Sequence, residues 1–275
     1  MKHASYILTL LTIAALATSC TKDFDVDYRP VTPFYVVQGS ITDEPVKVML
    51  TQSRNMNDSV KGKGLDHAQM FLSDDLGKSE QLVFSSDDRC YHSPTDWSGE
   101  DGRTYTLSVL IDGNEYRASS TMMPKVELDS IKIFWEEATG MKMMLMKYSF
   151  SYPKDQDLSY TYFIVTKNGN FYRSHAEKQL NAASKQGMAM VGCTTEKVMQ
   201  EDDPEKQDAI LHEGDKLRCE LWTIDRPIYD YFFSIVTSQQ NATNPLPQFS
   251  GGLAGYFSAH HTVATSFTFS FKDVK

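Results

Sequence analysis

The sequence is short of positive charge: 27 Lys and Arg stand against 36 Asp and Glu in 275 residues, a net charge of −9 at neutral pH. That balance gives a phosphate backbone little to hold, which excludes nucleic acid as a partner. Recognisable catalytic spacing is also missing. Ser250-Gly251-Gly252 lacks the glycines at fixed offsets on both sides that a nucleophile elbow needs. His260 and His261 are adjacent, so on a strand they face opposite ways and do not chelate one ion, and Cys90-Tyr91-His92 falls short of a zinc ligand set. The acid pairs Asp74-Asp75, Asp87-Asp88 and Glu100-Asp101 lack EF-hand spacing and read as solvated loop charge. No cofactor or metal is expected. What is present is an ordinary globular composition, 41% in the AVILMFWYC set, on a chain long enough for one large or two modest domains.

The first residues read as an address. Lys2 precedes an apolar run from Tyr6 to Ala17, too short to span a bilayer and the right size for a signal-peptide core, and no later segment is apolar enough to cross. Leu16-Ala17-Thr18-Ser19-Cys20 resembles the lipobox of bacterial lipoproteins. Residues 1–19 are then the removed signal, Cys20 the lipidated first residue and residues 20–32 a tether. Lys22 followed by Asp23, Asp25 and Asp27 is similar to the surface-export signal of Bacteroidota lipoproteins, which places the chain on the outer membrane facing outward. Cys90, Cys193 and Cys219 remain, so at most one disulfide forms. Cys193 with Cys219 is the favoured pair, with buried free thiols the alternative.

From Phe34 onward, short β-type runs alternate with turn chemistry, which predicts an all-β chain of two sandwich-like domains. The first, 33–124, takes Phe34–Ile41, Val46–Gln52, Ala68–Ser73, Gln81–Phe84, Thr104–Ile111 and Glu115–Met122 as strands. Asp112-Gly113 marks a tight hairpin in it. Gly102 to Val109 resembles the tyrosine-corner strand of immunoglobulin-like and fibronectin type III domains, with Tyr105 as the corner residue. Met123-Pro124-Lys125-Val126 reads as the junction to a second domain, 125–275, with strands at Leu128–Glu136, Met141–Tyr152, Tyr160–Lys167, Lys216–Thr223 and Thr262–Phe271. Its helix, near 227–239, is signalled by Ile228, Tyr231, Phe232, Ile235 and Val236 at helical spacing behind Asp225-Arg226-Pro227. Ser174–Pro204 reads as a polar insertion with a helical turn at Ala176–Ala183, and Asn244–His260, with two prolines and three glycines, as irregular.

Four blocks carry a family resemblance: Val36-Val37-Gln38-Gly39-Ser40-Ile41-Thr42-Asp43, Gly102 to Val109, Ile228-Tyr229-Asp230-Tyr231-Phe232, and Asn244-Pro245-Leu246-Pro247 with Ser250 to His260. In that order they resemble a Bacteroidota outer-membrane lipoprotein family known only as a domain of unknown function. The resemblance implies two β-rich domains, a gene beside a TonB-dependent receptor, and no catalytic residues to carry over. Leu253-Ala254-Gly255 departs from its more compact glycine pattern.

The candidate contact residues for a partner or ligand are Trp97, in a Ser/Pro/Gly-rich loop, and Tyr256 and Phe257, in the irregular stretch; for each, packing inside the chain is the competing reading. Asp58-Ser59-Val60 and Asp129-Ser130-Ile131 resemble the acceptor of Bacteroidota O-glycosylation, at Ser59 and Ser130. Met141, Met143, Met144 and Met146 suit a strand buried on both faces. These features lead to a non-enzymatic lipoprotein accessory to a TonB-dependent receptor, with a stand-alone glycan- or peptide-binding module second and a hydrolase third.

Overall fold

The computed structural model describes residues 32–53, 63–138, 140–151, 160–179, 186–199, 207, 209–241 and 244–275. Residues 33–275 form one compact unit. Among the described residues sixteen strands run along it: β1 Tyr35–Ile41, β2 Lys47–Gln52, β3 Gln69–Asp74, β4 Ser79–Gln81, β5 Val83–Ser85, β6 Cys90–His92, β7 Thr104–Ile111, β8 Asn114–Thr121, β9 Glu127–Ala138, β10 Met141–Ser151, β11 Tyr160–Lys167, β12 Asn170–Lys178, β13 Gln186–Thr195, β14 Lys216–Ile224, β15 Ala254–Ala259 and β16 His261–Thr268. The long helix, α1, spans Arg226–Asn241.

The first sandwich sets β15-β1-β2-β6-β5 against β4-β3-β7-β8. Leaving β15 aside, β1-β2-β6-β5 is the A-B-E-D sheet of an immunoglobulin constant-type domain, and β3-β7-β8 is its C-F-G sheet with β4 added. Alternation dictates the packing: on β7, Tyr105, Leu107, Val109 and Ile111 all point into the core. Asp112 and Gly113 both take positive φ, 51° and 79°, so the hairpin turns in two residues between Ile111 and Asn114. The Tyr105 hydroxyl accepts a hydrogen bond from Glu100 N at 2.8 Å, the upstream backbone bond of a tyrosine corner.

The second sandwich sets β13-β10-β9 against β12-β11-β14-β16 around a separate core. Met144, Met146, Tyr148 and Phe150 face this core from β10, whereas Met141 is exposed and Met143 half-buried. The strand is therefore buried on one face, not two. The described residues of the expected insertion are mostly strand: Asn168-Gly169, at φ 52° and 82°, makes a tight turn from β11 to β12, and β13 carries the chain back. The expected helical turn at Ala176–Ala183 gives way to β12 as far as Lys178. Below Thr268 the last strand ends early, and Phe271 sits half-exposed in a 3-10 turn.

Asp225 caps α1: its Oδ1 accepts from Ile228 N at 3.2 Å, and its Oδ2 accepts from Thr121 N of β8 at 2.7 Å. One carboxylate thus starts the helix and ties it to the first sandwich. Burial raises its pKa, against the backbone donors that pull it down.

The expected boundary at 124/125 does not separate two independent domains. β15 pairs in parallel with β1 from Val36↔Ala254 to Ile41↔Ala259, and Phe249, Leu253, Phe257 and Ala259 belong to the first core. Residues 254–259 are accordingly a regular strand rather than irregular chain. Gly255 makes the seam possible: at φ 106° a Cβ there would lie 1.7 Å from the Val37 carbonyl oxygen.

Candidate binding groove

Where the first strand begins, a groove of about 610 Å³ opens between Phe34, Tyr35 and Val36, Tyr116 of β8, Tyr231 of α1, and the 244–255 segment with Pro245 and Pro247. Local chemistry holds this segment in place. Gln248 accepts from Phe257 N at 2.7 Å and donates to Phe257 O at 2.9 Å and Ser119 O at 3.2 Å. Ser250 Oγ accepts from Arg117 N at 2.9 Å, and Ser234 Oγ from Leu246 N at 2.9 Å. Gly251 and Gly252, at φ 70° and 78°, then turn the chain beneath Tyr116, whose ring would be 3.1 Å from a Cβ on Gly251. The glycines of the C-terminal block thus shape the groove by close approach. Apolar surface stays open in its lining, with Phe34 44% exposed.

The aromatic residues singled out in the sequence take other roles. Trp97 is only 6% exposed, packs on Tyr105 at 6.0 Å and lies under Lys78 Nζ at 3.8 Å, so it closes its own sandwich and offers no free face. Phe257 is fully buried. Tyr256 joins a ring cluster with Tyr231 at 5.4 Å and Phe232 at 5.0 Å, where burial pushes its pKa up to about 12. The groove instead recruits Phe34, Tyr35, Tyr116 and Tyr231. Spacing hid them, because they come from three distant elements; the open Phe34 directly after the tether was the one signal at hand.

Ser130 lies inside β9, its hydroxyl sharing a hydrogen bond with Ser149 Oγ at 2.8 Å across the ladder, so it is not presented on a loop. Ser59 and Cys20 lie outside the described residues. Cys90, Cys193 and Cys219 are buried free thiols. Burial pushes Cys193 and Cys219 up to about 12, and the Cys219 Sγ rests 3.8 Å from Met146 Sδ. Cys90 is a core residue of β6, not part of a polar turn.

The histidine pair separates as expected for adjacent residues. His260 is buried, stacks on Trp222 at 4.0 Å, and meets Ser258 Oγ at 2.9 Å through Nδ1. Burial drives its pKa down to about 3, with His261 as the next contributor. Ser258 is itself fully buried, so this serine and histidine have no open face toward a substrate. His261 points the other way, Nδ1 lying 2.5 Å from Asp43 and Nε2 against Asp101. Lys125 completes that cluster at 2.9 Å from Asp43. Burial opposes ionisation of Asp43, yet Lys125 and His261 outweigh it and hold its pKa low. The cluster ties the β1–β2 turn, the loop before β7, the 124/125 junction and β16 together. Among the described residues no group of three or more His, Cys, Asp or Glu is arranged to hold a metal ion.

The family model described as Domain of unknown function (DUF4249) matches residues 21–252, and the chain belongs to that family. No curated protein matches the chain.

Proposed function

We propose that this chain is a non-enzymatic lipoprotein, anchored through Cys20 in the outer membrane and facing outward, that serves a TonB-dependent receptor by docking on it or holding its ligand. The observation that carries the binding role is the aromatic and proline groove, in whose lining Phe34 remains exposed. Half-buried tyrosines suit a peptide or a sugar, and the groove begins 14 residues after Cys20. At about 3.3–3.6 Å per extended residue, that tether reaches tens of ångströms from the anchor. Anchoring itself is supported by the small-residue box that ends in Cys20.

The test is a pull-down from detergent-solubilised outer membrane. A copurifying β-barrel, lost in Phe34→Ser with Tyr231→Ala, is the expected result. Groove-dependent binding of glycan or peptide with no barrel would favour the stand-alone module. In parallel, Cys20→Ala should leave the membrane fraction, and full retention of that variant would remove the anchoring part of the proposal.

A further inference from the structure

One backbone position of β15 stands open inside the groove that begins at Phe34. The register of β15 with β1, continued by His260 N donating to Ile41 O, spends the backbone groups of Ala254, Tyr256 and Ser258 on β1. Because each peptide unit is planar and trans, the N–H and C=O of Gly255 and Phe257 point away from β1. At Phe257 a side chain supplies both partners: the Gln248 carboxamide accepts from Phe257 N at 2.7 Å and donates to Phe257 O at 2.9 Å. Gly255 is buried and lines the groove, yet among the described residues no group bonds its N–H or its C=O. Buried backbone groups are nearly always paired, so a donor and an acceptor left side by side in a groove call for a guest.

We infer that the groove holds an uncharged stretch of polypeptide, one residue of which exchanges both backbone hydrogen bonds with Gly255. Gln248 shows the pattern at the neighbouring position. Its carboxamide carries an N–H and a C=O on one side and serves Phe257 as a strand residue would. A residue of an extended peptide also turns its N–H and C=O to one side. The acetamido group of an N-acetyl sugar is a trans secondary amide, so its N–H and C=O point opposite ways and only one of them reaches Gly255.

The rest of the lining agrees. It contains no Asp, Glu, Lys, Arg or His, so a charged group of the guest would lose its hydration there without a partner. The hydroxyls of a sugar fare little better. Asn244 carries the one side-chain amide of the lining, and the Tyr35 hydroxyl is already engaged by Asp112 at 2.9 Å and His67 at 3.2 Å. Phe34, Tyr116, Tyr231 and the two prolines offer apolar surface to guest side chains, while main-chain bonds to Gly255 fix the register. The inference rests on the groove reading above and narrows its guest from peptide or sugar to peptide.

The probe is a phage-displayed library of random octapeptides built from uncharged residues, selected on the full chain in detergent and counter-selected on Tyr231→Ala. A panel of neutral oligosaccharides, with and without N-acetyl groups, runs beside it. Selected peptides should bind the natural chain at least tenfold more tightly than Tyr231→Ala and should slow hydrogen exchange at Gly255 at least tenfold. N-methylation, scanned one amide at a time, should cost at least tenfold at the residue paired with Gly255 and little at its two neighbours, whose N–H groups face away. The scan and the Gly255 exchange need no variant and decide the matter if Tyr231→Ala fails to fold. The inference is overturned if no peptide is enriched, which leaves Gly255 to water, if every N-methylated peptide binds as well as its parent, or if an oligosaccharide rather than a peptide protects Gly255. A receptor barrel that copurifies through the groove while no peptide binds keeps the receptor reading and sinks this one. Peptides that bind with no barrel do the reverse.

Discussion

The two sandwiches handle their sheet edges differently. In the first, β15 returns from the far end of the chain to cover the outer edge of β1, and Tyr105 locks the corner before β7. In the second, β9 and β16 are the last strands of their sheets, and only the chain's own end, Lys275, bonds the outer edge of β9, at Ile133 and Trp135. An edge covered in parallel by a distant segment costs loop-closure entropy and contributes rigidity, whereas an open edge keeps backbone donors and acceptors for a partner. The difference teaches that the first sandwich is closed by a strand from the other half, and the second by the last residues that follow its own edge strand.

The sharpest way to break the comparison is to open the closed edge. Gly255→Ala places a Cβ 1.7 Å from the Val37 carbonyl oxygen at φ 106°, and backbone on both sides leaves nothing flexible to move. A loss of about 4 kcal/mol or more is expected from the clash together with the strained conformation. Gly252→Ala, with positive φ but open space, should lose only about 1–2 kcal/mol. Urea midpoints of the two variants measure the gap, and equal midpoints would mean that β15 does not hold the first sandwich together.

Acid is the next probe of the seam, because His260 sits at its end, with its N–H bonded to Ile41 O at 3.1 Å. The folded state keeps this imidazole neutral down to about 3, while the unfolded chain takes up a proton near 6.5. The unfolded state therefore binds more protons between those values, and stability is complete above 6.5 and falls as pH drops through the window. From 6.5 to 4.5 the loss should be about 2–3 kcal/mol at roughly 1.4 kcal/mol per unit. Asp43, Asp75, Asp88 and Glu213, all held low by their partners, begin to cost stability only below 4.5. Asp225, raised by burial, works in the opposite direction as pH rises above 3.8. His260→Phe keeps the stacking on Trp222 and should flatten the slope; an unchanged slope would assign it to another group.

How much of this was legible follows from which signals are local. β7 and β11 carry strict alternation and their limits read directly from the chain, and β8, expected at Glu115–Met122, runs one residue earlier, Asn114–Thr121. The same logic was available at Asn168-Gly169, a strong hairpin signal, but β12 buries only Tyr172, exposes Phe171, and runs on through Arg173, Ser174, His175 and Glu177, so its polarity masked the strand. β13 buries small residues, Gly187, Ala189, Val191 and Cys193, which give weak periodicity. β15 was hidden for a different reason. Glycines and prolines normally interrupt strands, and only a partner 218 positions away in Val36↔Ala254 makes this one regular. The groove likewise depends on long-range pairing, whereas Tyr105 needed only its own strand and the loop before it.

Tyr105 gives a smaller and more local test of the first sandwich. Its hydroxyl is buried and accepts one backbone bond, from Glu100 N, and burial raises its pKa. Tyr105→Phe removes that acceptor and keeps the ring, so about 1 kcal/mol should be lost. If the corner rather than the ring fixes the loop, hydrogen exchange at Glu100 should speed up more than at any amide of β7. A midpoint equal to that of the natural chain would show that water replaces the hydroxyl at no cost.

The smallest expected effect lies in the second sandwich and is a null of known size. A Cys193–Cys219 disulfide would close a loop in the unfolded chain and contribute about 3 kcal/mol. In the structure both thiols are free, Cys193 beneath Tyr172 and Arg173 and Cys219 against Met146. Burial that lifts both to about 12 leaves almost no thiolate near neutral pH, so neither attacks an oxidant readily. Reductant should therefore leave the urea midpoint unchanged. Iodoacetamide added after unfolding without reductant should alkylate Cys90, Cys193 and Cys219 alike, and native protein should react slowly at all three. A midpoint that drops with reductant, or a tryptic fragment joining the Cys193 and Cys219 peptides, would show that this half is stapled covalently and would reverse the contrast with the first.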